Sequence, residues 1–198
     1  MASRQTPSQT IGPYFAYGLT SEQYGYPLHQ IAGGDLTESV SGLEGERIRI
    51  VGQVFDGHGE PVPDAMIEIW QADAQGRYAH PADGRGTNTG FKGFGRMGTG
   101  THPDSRFVFE TIKPASVDGR QAPHVNVVVF ARGLLSHLYT RIYFGDESAA
   151  NASDPVLASV PEDRRPTLVA TPEDENGARV YRFDIHLQGA EETVFFDV

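Results

Sequence analysis

Residues 47–59 read RIRIVGQVFDGHG, and this stretch decides the fold class. Within it, Ile48, Ile50 and Val54 alternate with smaller or more polar residues. This period of two is typical of a β-strand that turns one face toward a core. The DGHG that ends the stretch has the composition of a tight turn. The stretch therefore predicts a strand that closes on a turn.

Similar patterns predict several more short strands along the chain, of which residues 125–129 are nearly all apolar and are expected to be buried on both faces. They cover residues 66–70, 107–111, 125–129, 137–144 and 180–187. The 23 glycines and 13 prolines are spread through the chain rather than clustered, as expected where many short strands are joined by turns. Only residues 148–152 and 162–168 look briefly helical, and residues 90–100 are interpreted as a glycine-rich loop. We therefore predict an all-β fold, a single-domain β-sandwich with mixed or antiparallel sheets.

The first 45 residues lack this alternation. Glycine and proline interrupt them repeatedly, beginning with TPSQTIGPYF at residues 6–15. An isolated stretch of this kind buries too little apolar surface to offset the entropy lost on ordering it. We therefore predict that residues 1–45 form an extended N-terminal arm that wraps onto another surface, and that residues 46–198 form the sandwich.

Composition excludes several classes of function. Lys and Arg number 16 against 26 Asp and Glu, a formal net charge of −10, which argues against nucleic acid or an anionic membrane as the main partner. The absence of cysteine rules out disulfides, cysteine-ligated zinc, iron–sulfur clusters and a thiol nucleophile. No apolar run approaches the roughly 18 residues of a membrane span, and the N-terminus lacks the apolar stretch of a secretory signal. The cytoplasm is the default compartment.

Local motifs supply no complete active site. The seven histidines form neither a His-x-His nor a His-x-x-x-His pair, although His-x-His is the natural chelate on a strand, where alternate residues share a face. The nearest approach is His124 with Asn126, and asparagine is a poor ligand for a transition metal. No Gly-x-Ser-x-Gly occurs, and residues 90–95 lack the Lys-Ser/Thr of a phosphate-binding loop.

A longer motif connects the chain to a known family. Residues 52–78 read GQVFDGHGEPVPDAMIEIWQADAQGRY, and the similarity continues through Lys113-Pro114, Pro123-His124 and YRFDI at residues 181–185. In these motifs the chain resembles the intradiol ring-cleavage dioxygenases over most of its length from residue 47 onward. The resemblance implies a β-sandwich fold and a ferric non-haem iron held by two tyrosines and two histidines.

The resemblance also assigns the ligand positions of this chain, and two of the four are changed. They are Tyr78, Val117, His124 and Asn126. Valine has no lone pair to offer, and one tyrosine with one histidine cannot complete a four-ligand sphere. The arginine that the family carries just before the histidine pair is replaced by Gln121. We therefore predict that these are vestigial positions and that this chain binds no iron.

An iron-free member of this family implies a hetero-oligomer. The resemblance predicts a partner chain of related fold that holds Fe(III) in a pocket where a small catechol-type substrate reacts with O₂. It also predicts that this chain completes the wall of that pocket. The family match points to five pocket residues: Thr10, Gly12, Pro13, Tyr14 and Arg132. Glycine and proline let the backbone approach a flat ring in a fixed shape.

The position of Arg132 supports a site outside this chain. Arg132 lies eight residues after His124, about 26 Å along a straight strand at ~3.3 Å per residue, so the two cannot easily serve one site. Because Arg132 follows an apolar strand, its charge needs a partner, either a substrate carboxylate or an acidic group across an interface. A structural ion pair for Arg132, and a simple turn at Gly12-Pro13, remain open alternatives.

Two other functions are weighed against the subunit hypothesis. A self-contained iron dioxygenase is disfavoured by Val117 and Asn126. A binding or transport sandwich of the prealbumin type would reuse the same architecture without chemistry.

Overall fold

The computed structural model describes residues 12, 14–38, 40–86 and 90–198. The strands found there, in chain order, are β1 (Arg47–Phe55), β2 (Met66–Gln71), β3 (Phe94–Gly98), β4 (Arg106–Ile112), β5 (His124–Phe130), β6 (Leu138–Phe144), β7 (Val169–Glu175), β8 (Ala178–Arg182) and β9 (Ile185–His186). The helices are short: α1 (Tyr14–Leu19), α2 (Ser148–Ser153), α3 (Pro155–Ser159), and 3₁₀ turns at Glu22–Tyr24 and Glu162–Leu168. None of the helices in these ranges has the length and apolar character needed to cross a membrane.

Strand pairing is mixed and follows one continuous path. The order is β3-β2-β5-β6-β7-β8-β1-β4, with β9 beside β1. Neighbours on this path are antiparallel except β6–β7 and β1–β8, and β9 also runs parallel to β1. The β6–β7 pairing joins only two residue pairs, so the path divides there into two layers. The predicted all-β sandwich with mixed pairing is confirmed.

A single core fills the space between the layers. Ile67 and Val127 from one layer share a cluster of buried side chains with Ile50 and Phe109 from the other. Each of these side chains is at most 1% exposed. The alternation seen in the sequence is therefore the alternation between core and surface along each strand.

The strand β3 corrects the expected loop at residues 90–100. Gly95 in this strand is required by close packing rather than by a turn, because a Cβ there would lie 2.6 Å from Leu36 Cδ1. Leu36 belongs to a segment that runs along the edge of β4, where the Leu36 N–H donates to the Glu110 carbonyl at 2.8 Å. Glycine inside a strand often marks such an approach, and the sequence alone does not distinguish it from a loop.

Several short elements of the structure are absent from the sequence-based prediction. These are α1, α3, the 3₁₀ turn at Glu22–Tyr24 and β7. The helical elements are too short for their periodicity to be detected, and α1 depends on a tertiary contact in which the Phe15 ring lies 5.4 Å from that of Phe130. β7 is as long as β4, but its sequence VATPEDE is mostly polar and lacks apolar alternation. Within the predicted arm, Leu36 and Thr37 are buried. The division of the chain at residue 45 stays a prediction.

Gly52 offers a test of the packing between β1 and the rest of the core. A Cβ at this position would overlap the Phe183 carbonyl oxygen and lie 2.7 Å from the Phe107 ring. We expect Gly52→Ala to lower the free energy of unfolding by about 2 kcal/mol, as overpacking does in a dense core. Urea unfolding measures this. Gly84→Ala, where nothing lies within 4 Å of the added atom, is the matched control, and equal losses in the two variants would contradict the argument.

Candidate functional site

Two of the four vestigial positions meet directly at one end of β5. Nδ2 of Asn126 donates to the hydroxyl of Tyr78 at 3.1 Å and lies 3.3 Å from the Trp70 carbonyl. The second contact follows from the strand register, in which Trp70 on β2 lies opposite Asn126 on β5. The amide nitrogen of Asn126, where the family resemblance expects a histidine, is therefore engaged inside the chain.

A tight turn fixes Tyr78. The buried carboxylate of Asp73 accepts hydrogen bonds from the backbone N–H groups of Gln75 and Arg77, each at 2.9 Å. Gly76 has a φ of +74°, and a Cβ there would overlap the Ser116 carbonyl oxygen. Only glycine fits this position, which explains the Gly-x-Tyr pattern in physical terms. The close approach of Gly76 to Ser116 also packs the loop before Val117 against the turn.

Arg85 joins the two loops at this end. Nη1 of Arg85 donates to the carbonyl of Val117 and Nη2 to the carbonyl of Gly76, both at 2.9 Å, and the guanidinium also pairs with Asp83 at 2.7 Å. Val117 thus contributes a backbone contact and no side-chain donor. An open depression of about 820 Å³ lies beside these loops, lined by Trp70, Tyr78, His80, Ala82, Asp83, Gly84 and Arg85.

Tyr78 is held as a neutral phenol. Its ring stacks on Trp70, with centroids 6.0 Å apart and planes within 10°. Burial raises the pKa of Tyr78 above its ordinary value, and the hydrogen bond from Asn126 and the positive charge of Arg141 oppose this rise only in part. A phenolate, the form in which tyrosine binds ferric iron, is therefore disfavoured in this chain.

His124 is buried and neutral. Its side chain is 3% exposed, and Nδ1 lies 2.8 Å from the Ala122 carbonyl oxygen. A carbonyl only accepts, so Nδ1 carries the proton and the lone pair is on Nε2. Burial is the main cause that lowers the pKa of His124 below its ordinary value. This histidine keeps a donor atom of the family's set.

Arg141 brings a positive charge next to Gln121. Gln121 replaces the family's arginine, but its Oε1 accepts a hydrogen bond from Nη1 of Arg141 at 2.9 Å. Arg141 lies on β6 directly opposite Asn126. A guanidinium from the adjacent strand therefore lies beside Gln121. The alternation of residues 138–144 places Arg141 on the same face of β6 as Tyr139. This alternation was the sequence signal that could have indicated which face of the strand carries Arg141.

A buried carboxylate supports this end of the sandwich. Asp154, 0% exposed, accepts from the Ala122 N–H at 2.7 Å and from the Tyr143 hydroxyl at 3.1 Å. It also caps α3 by accepting from the N–H groups of Val156 and Leu157. Asp154 thereby fixes the start of β5, where His124 lies.

The donors present do not fit a ferric ion. Tyr78 and His124 can offer one atom each, and Val117 offers none through its side chain. Asn126, whose Nδ2 is held by Tyr78 and Trp70, offers only a neutral amide oxygen in place of an imidazole nitrogen. Over the described ranges, no cluster of three or more His, Asp, Glu or Cys side chains could hold a metal ion. Two donors are too few for an iron site of the family's kind.

The opposite end of β5 carries the second set of expected residues. Nε of Arg132 lies 3.1 Å from Oδ2 of Asp64, and the Arg132 side chain is 60% exposed. Arg132 therefore has an acidic partner within its own chain, as in the structural ion pair that the sequence analysis left open beside a substrate or a group on another chain. The signal missed was strand register, since Asp64 precedes β2 by two residues and Arg132 follows β5 by two.

The described part of the arm lies near Arg132. The Gly12 carbonyl accepts from the Phe15 N–H at 3.1 Å, and the Phe15 ring lies 5.4 Å from that of Phe130, two residues before Arg132. Thr10, Pro13 and the side chain of Tyr14 lie outside the described residues. Their place in a pocket stays a prediction, as do those of Gly12 and Arg132.

Comparison with known proteins agrees with this geometry. The profile of the family described as "Dioxygenase" matches residues 19–189. The chain is 52% identical to the protocatechuate 3,4-dioxygenase alpha chain of Burkholderia cepacia, over 98% of both chains. The chain belongs to the intradiol ring-cleavage dioxygenase family. Another similar member of this family is the protocatechuate 3,4-dioxygenase alpha chain of Pseudomonas putida, 42% identical over 98% of this chain and 96% of that protein.

A second type of chain in the same family is also similar. The protocatechuate 3,4-dioxygenase beta chain of Burkholderia cepacia is 34% identical over 75% of this chain and 67% of its own length. Among solved structures, the intradiol ring-cleavage dioxygenase of Tetranychus urticae has a TM-score of 0.61, with 17% identity over 93% of this chain and 94% of that one. That structural likeness concerns the fold alone.

Tyr143, between Arg141 and Asp154, provides a pH test of this end of the sandwich. Burial is the first cause that raises the pKa of Tyr143 to about 12, from an ordinary value of about 10. The unfolded chain loses this proton at lower pH than the folded one. The contribution of Tyr143 to stability is therefore complete below about pH 10 and is lost between about pH 10 and 12.

We accordingly expect the free energy of unfolding to fall above pH 10, and to fall less steeply in Tyr143→Phe. Urea unfolding at several pH values between 8 and 11 measures the slope. Tyr26→Phe, which alters a side chain that is 51% exposed, is the control. Identical slopes in the two variants would contradict the assignment to Tyr143.

Proposed function

We propose that this chain is the alpha-type, non-iron-binding subunit of a protocatechuate 3,4-dioxygenase. The reaction of the complex is the intradiol cleavage of 3,4-dihydroxybenzoate with O₂ to 3-carboxy-cis,cis-muconate. One observation carries the proposal: the hydroxyl of Tyr78 accepts a hydrogen bond from Asn126 within the chain, and Asn126 and Val117 occupy two of the positions where the family resemblance expects iron ligands. Two similar relatives of nearly equal length are alpha chains of such an enzyme.

The iron belongs, in this proposal, to a beta chain. The similarity to a beta chain of the same enzyme supports a partner of related fold, so that αβ units assemble into a hetero-oligomer and Fe(III) is held by the beta chain alone. This chain would complete the pocket wall with Gly12 and Arg132, together with Thr10, Pro13 and Tyr14. The compartment we propose is the cytoplasm, on the sequence-based expectation given above.

The alternatives have less support. A self-contained iron dioxygenase needs donors that Val117 and Asn126 do not supply. A prealbumin-type binding module is not favoured, because the alpha chains that resemble this chain over nearly its whole length belong to a dioxygenase.

Metal analysis tests which of the two chains holds the iron. We expect the separately purified chain to contain no stoichiometric iron, because it has too few donors. The complex co-expressed with the beta chain should contain about one iron per αβ unit, with a tyrosinate charge-transfer band. Iron content and the visible spectrum measure both. Stoichiometric ferric iron with that band in the isolated chain, or cleavage of 3,4-dihydroxybenzoate by it alone, would refute the proposal.

Gly12 tests the pocket wall. Nothing lies within 4 Å of a Cβ placed on Gly12, so a side chain there fits within this chain. We expect Gly12→Leu to leave the stability of the chain unchanged but to reduce kcat/KM of the αβ complex by about tenfold or more, because the added atoms would enter the substrate pocket. Gly84→Leu, at a similarly open position, is the control. Unchanged kinetics in Gly12→Leu would remove this residue from the pocket.

A further inference from the structure

We propose that Asp64 is a positioning residue for the carboxylate of the substrate, acting through Arg132. Asp64 holds the guanidinium of Arg132 at Nε, so that the Nη1–Nη2 end of the fork faces the pocket and meets the substrate carboxylate in bidentate geometry. This inference rests on the proposed function, because it requires Arg132 to line a pocket that takes an aromatic carboxylate.

Strand register brings the two residues together. β2 and β5 are antiparallel, with Met66 opposite Phe130 and Ile67 opposite Val129. Two further steps in the same register place Asp64 opposite Arg132, where facing side chains are close neighbours. Nε of Arg132 and Oδ2 of Asp64 lie 3.1 Å apart, just beyond the last pair of the ladder, which directs the two residues toward each other.

The backbone beside Asp64 is anchored. The Ala65 N–H donates to Oγ1 of Thr99 at 3.1 Å, and the Thr99 N–H donates to the Ala65 carbonyl at 2.9 Å. Thr99 is fully buried, and so is Ala65. The carboxylate of Asp64 thus projects from a turn whose next residue is anchored in the buried part of the sandwich.

Exposure differs sharply between the partners. The Asp64 side chain is 13% exposed and the Arg132 side chain 60%. The carboxylate is the fixed, largely enclosed member of the pair. Its negative charge also acts on Tyr24, because the pKa of Tyr24 is raised first by burial and further by Tyr17 and Asp64. Arg132 is the outer member, with much of its side chain open to a partner or ligand.

The chemistry of arginine makes this arrangement useful. The guanidinium is planar, with five donors in a fixed fork. Contact at Nε leaves the two Nη groups at the far end of the plane, where they match the spacing of a carboxylate. An exposed arginine otherwise samples many rotamers, and a partner at Nε removes part of the entropy that would be lost on binding.

The experiment uses the αβ complex and two substrates, 3,4-dihydroxybenzoate and catechol, which lacks the carboxylate. Asp64→Asn keeps the size of the side chain and removes its charge. We expect it to raise KM for 3,4-dihydroxybenzoate by about three- to fivefold, the effect of losing one partly exposed ion pair. kcat and the KM for catechol should not change. Asp104→Asn, in the exposed pair with Arg106, is the matched control.

Variants of Arg132 separate the positioning step from the proposed function. Arg132→Ala should raise KM for 3,4-dihydroxybenzoate at least as much as Asp64→Asn does, and adding Asp64→Asn to it should cause no further change. Arg132→Lys keeps the charge but loses the fork, so its KM should also rise. Iron content and circular dichroism of each complex show whether it has folded and assembled.

Each outcome is decisive for one of the two proposals. A raised KM in Arg132→Ala with an unchanged or lower KM in Asp64→Asn overturns the positioning role and leaves the proposed function intact. An equal rise in KM for catechol, or wild-type kinetics in Arg132→Lys, also overturns the positioning role. Unchanged kinetics in Arg132→Ala would remove Arg132 from the pocket, and a complex that does not cleave 3,4-dihydroxybenzoate would overturn the proposed function itself.

Discussion

The antiparallel ladder between β2 and β5 is the constraint on which both functional regions depend. Its register sets Trp70 opposite Asn126 at one end and Met66 opposite Phe130 at the other. At the first end, the ladder presents Asn126 to Tyr78, and at the second it leads Asp64 to Arg132. A slip of one residue would reverse the faces of β5 and destroy both arrangements together. The buried side chains of the two strands specify this register because only one alignment places them all in the core.

The end of the sandwich around Tyr78 and Asn126 is a hydrogen-bonded part of the fold. A metal site exposes several lone pairs that must otherwise be satisfied when they are buried. Here Asn126 satisfies the Tyr78 hydroxyl, the Ala122 carbonyl satisfies His124 Nδ1, and Gln121 pairs with Arg141. The polar groups that line the pocket thus stabilise one another, and the end of the sandwich remains ordered with fewer potential ligands.

Sequence patterns were sufficient for the fold class, while the assignment of the ligand positions stays a prediction. Strands β1, β2, β4, β5 and β6 follow from period-two alternation, and the valine at position 117 lacks a donor in any conformation. Contacts between distant segments were not accessible in the same way. Gly95 can be assigned to a strand rather than a loop only when Leu36 is known to pack on it. The ion pair of Arg132 with Asp64 can be predicted only when the register of β2 and β5 is known. Alternation identifies the faces of a strand but not its neighbours.

The length of β5 separates these two regions in a way that matters for protein engineering. From His124 to Phe130 the strand spans about 20 Å, well beyond the distance at which substitutions usually influence one another. Donor atoms could therefore be reinstalled around Tyr78 and His124 without disturbing the end that carries Arg132. One small scaffold would then offer two independently adjustable ends, a property that a single compact active site lacks.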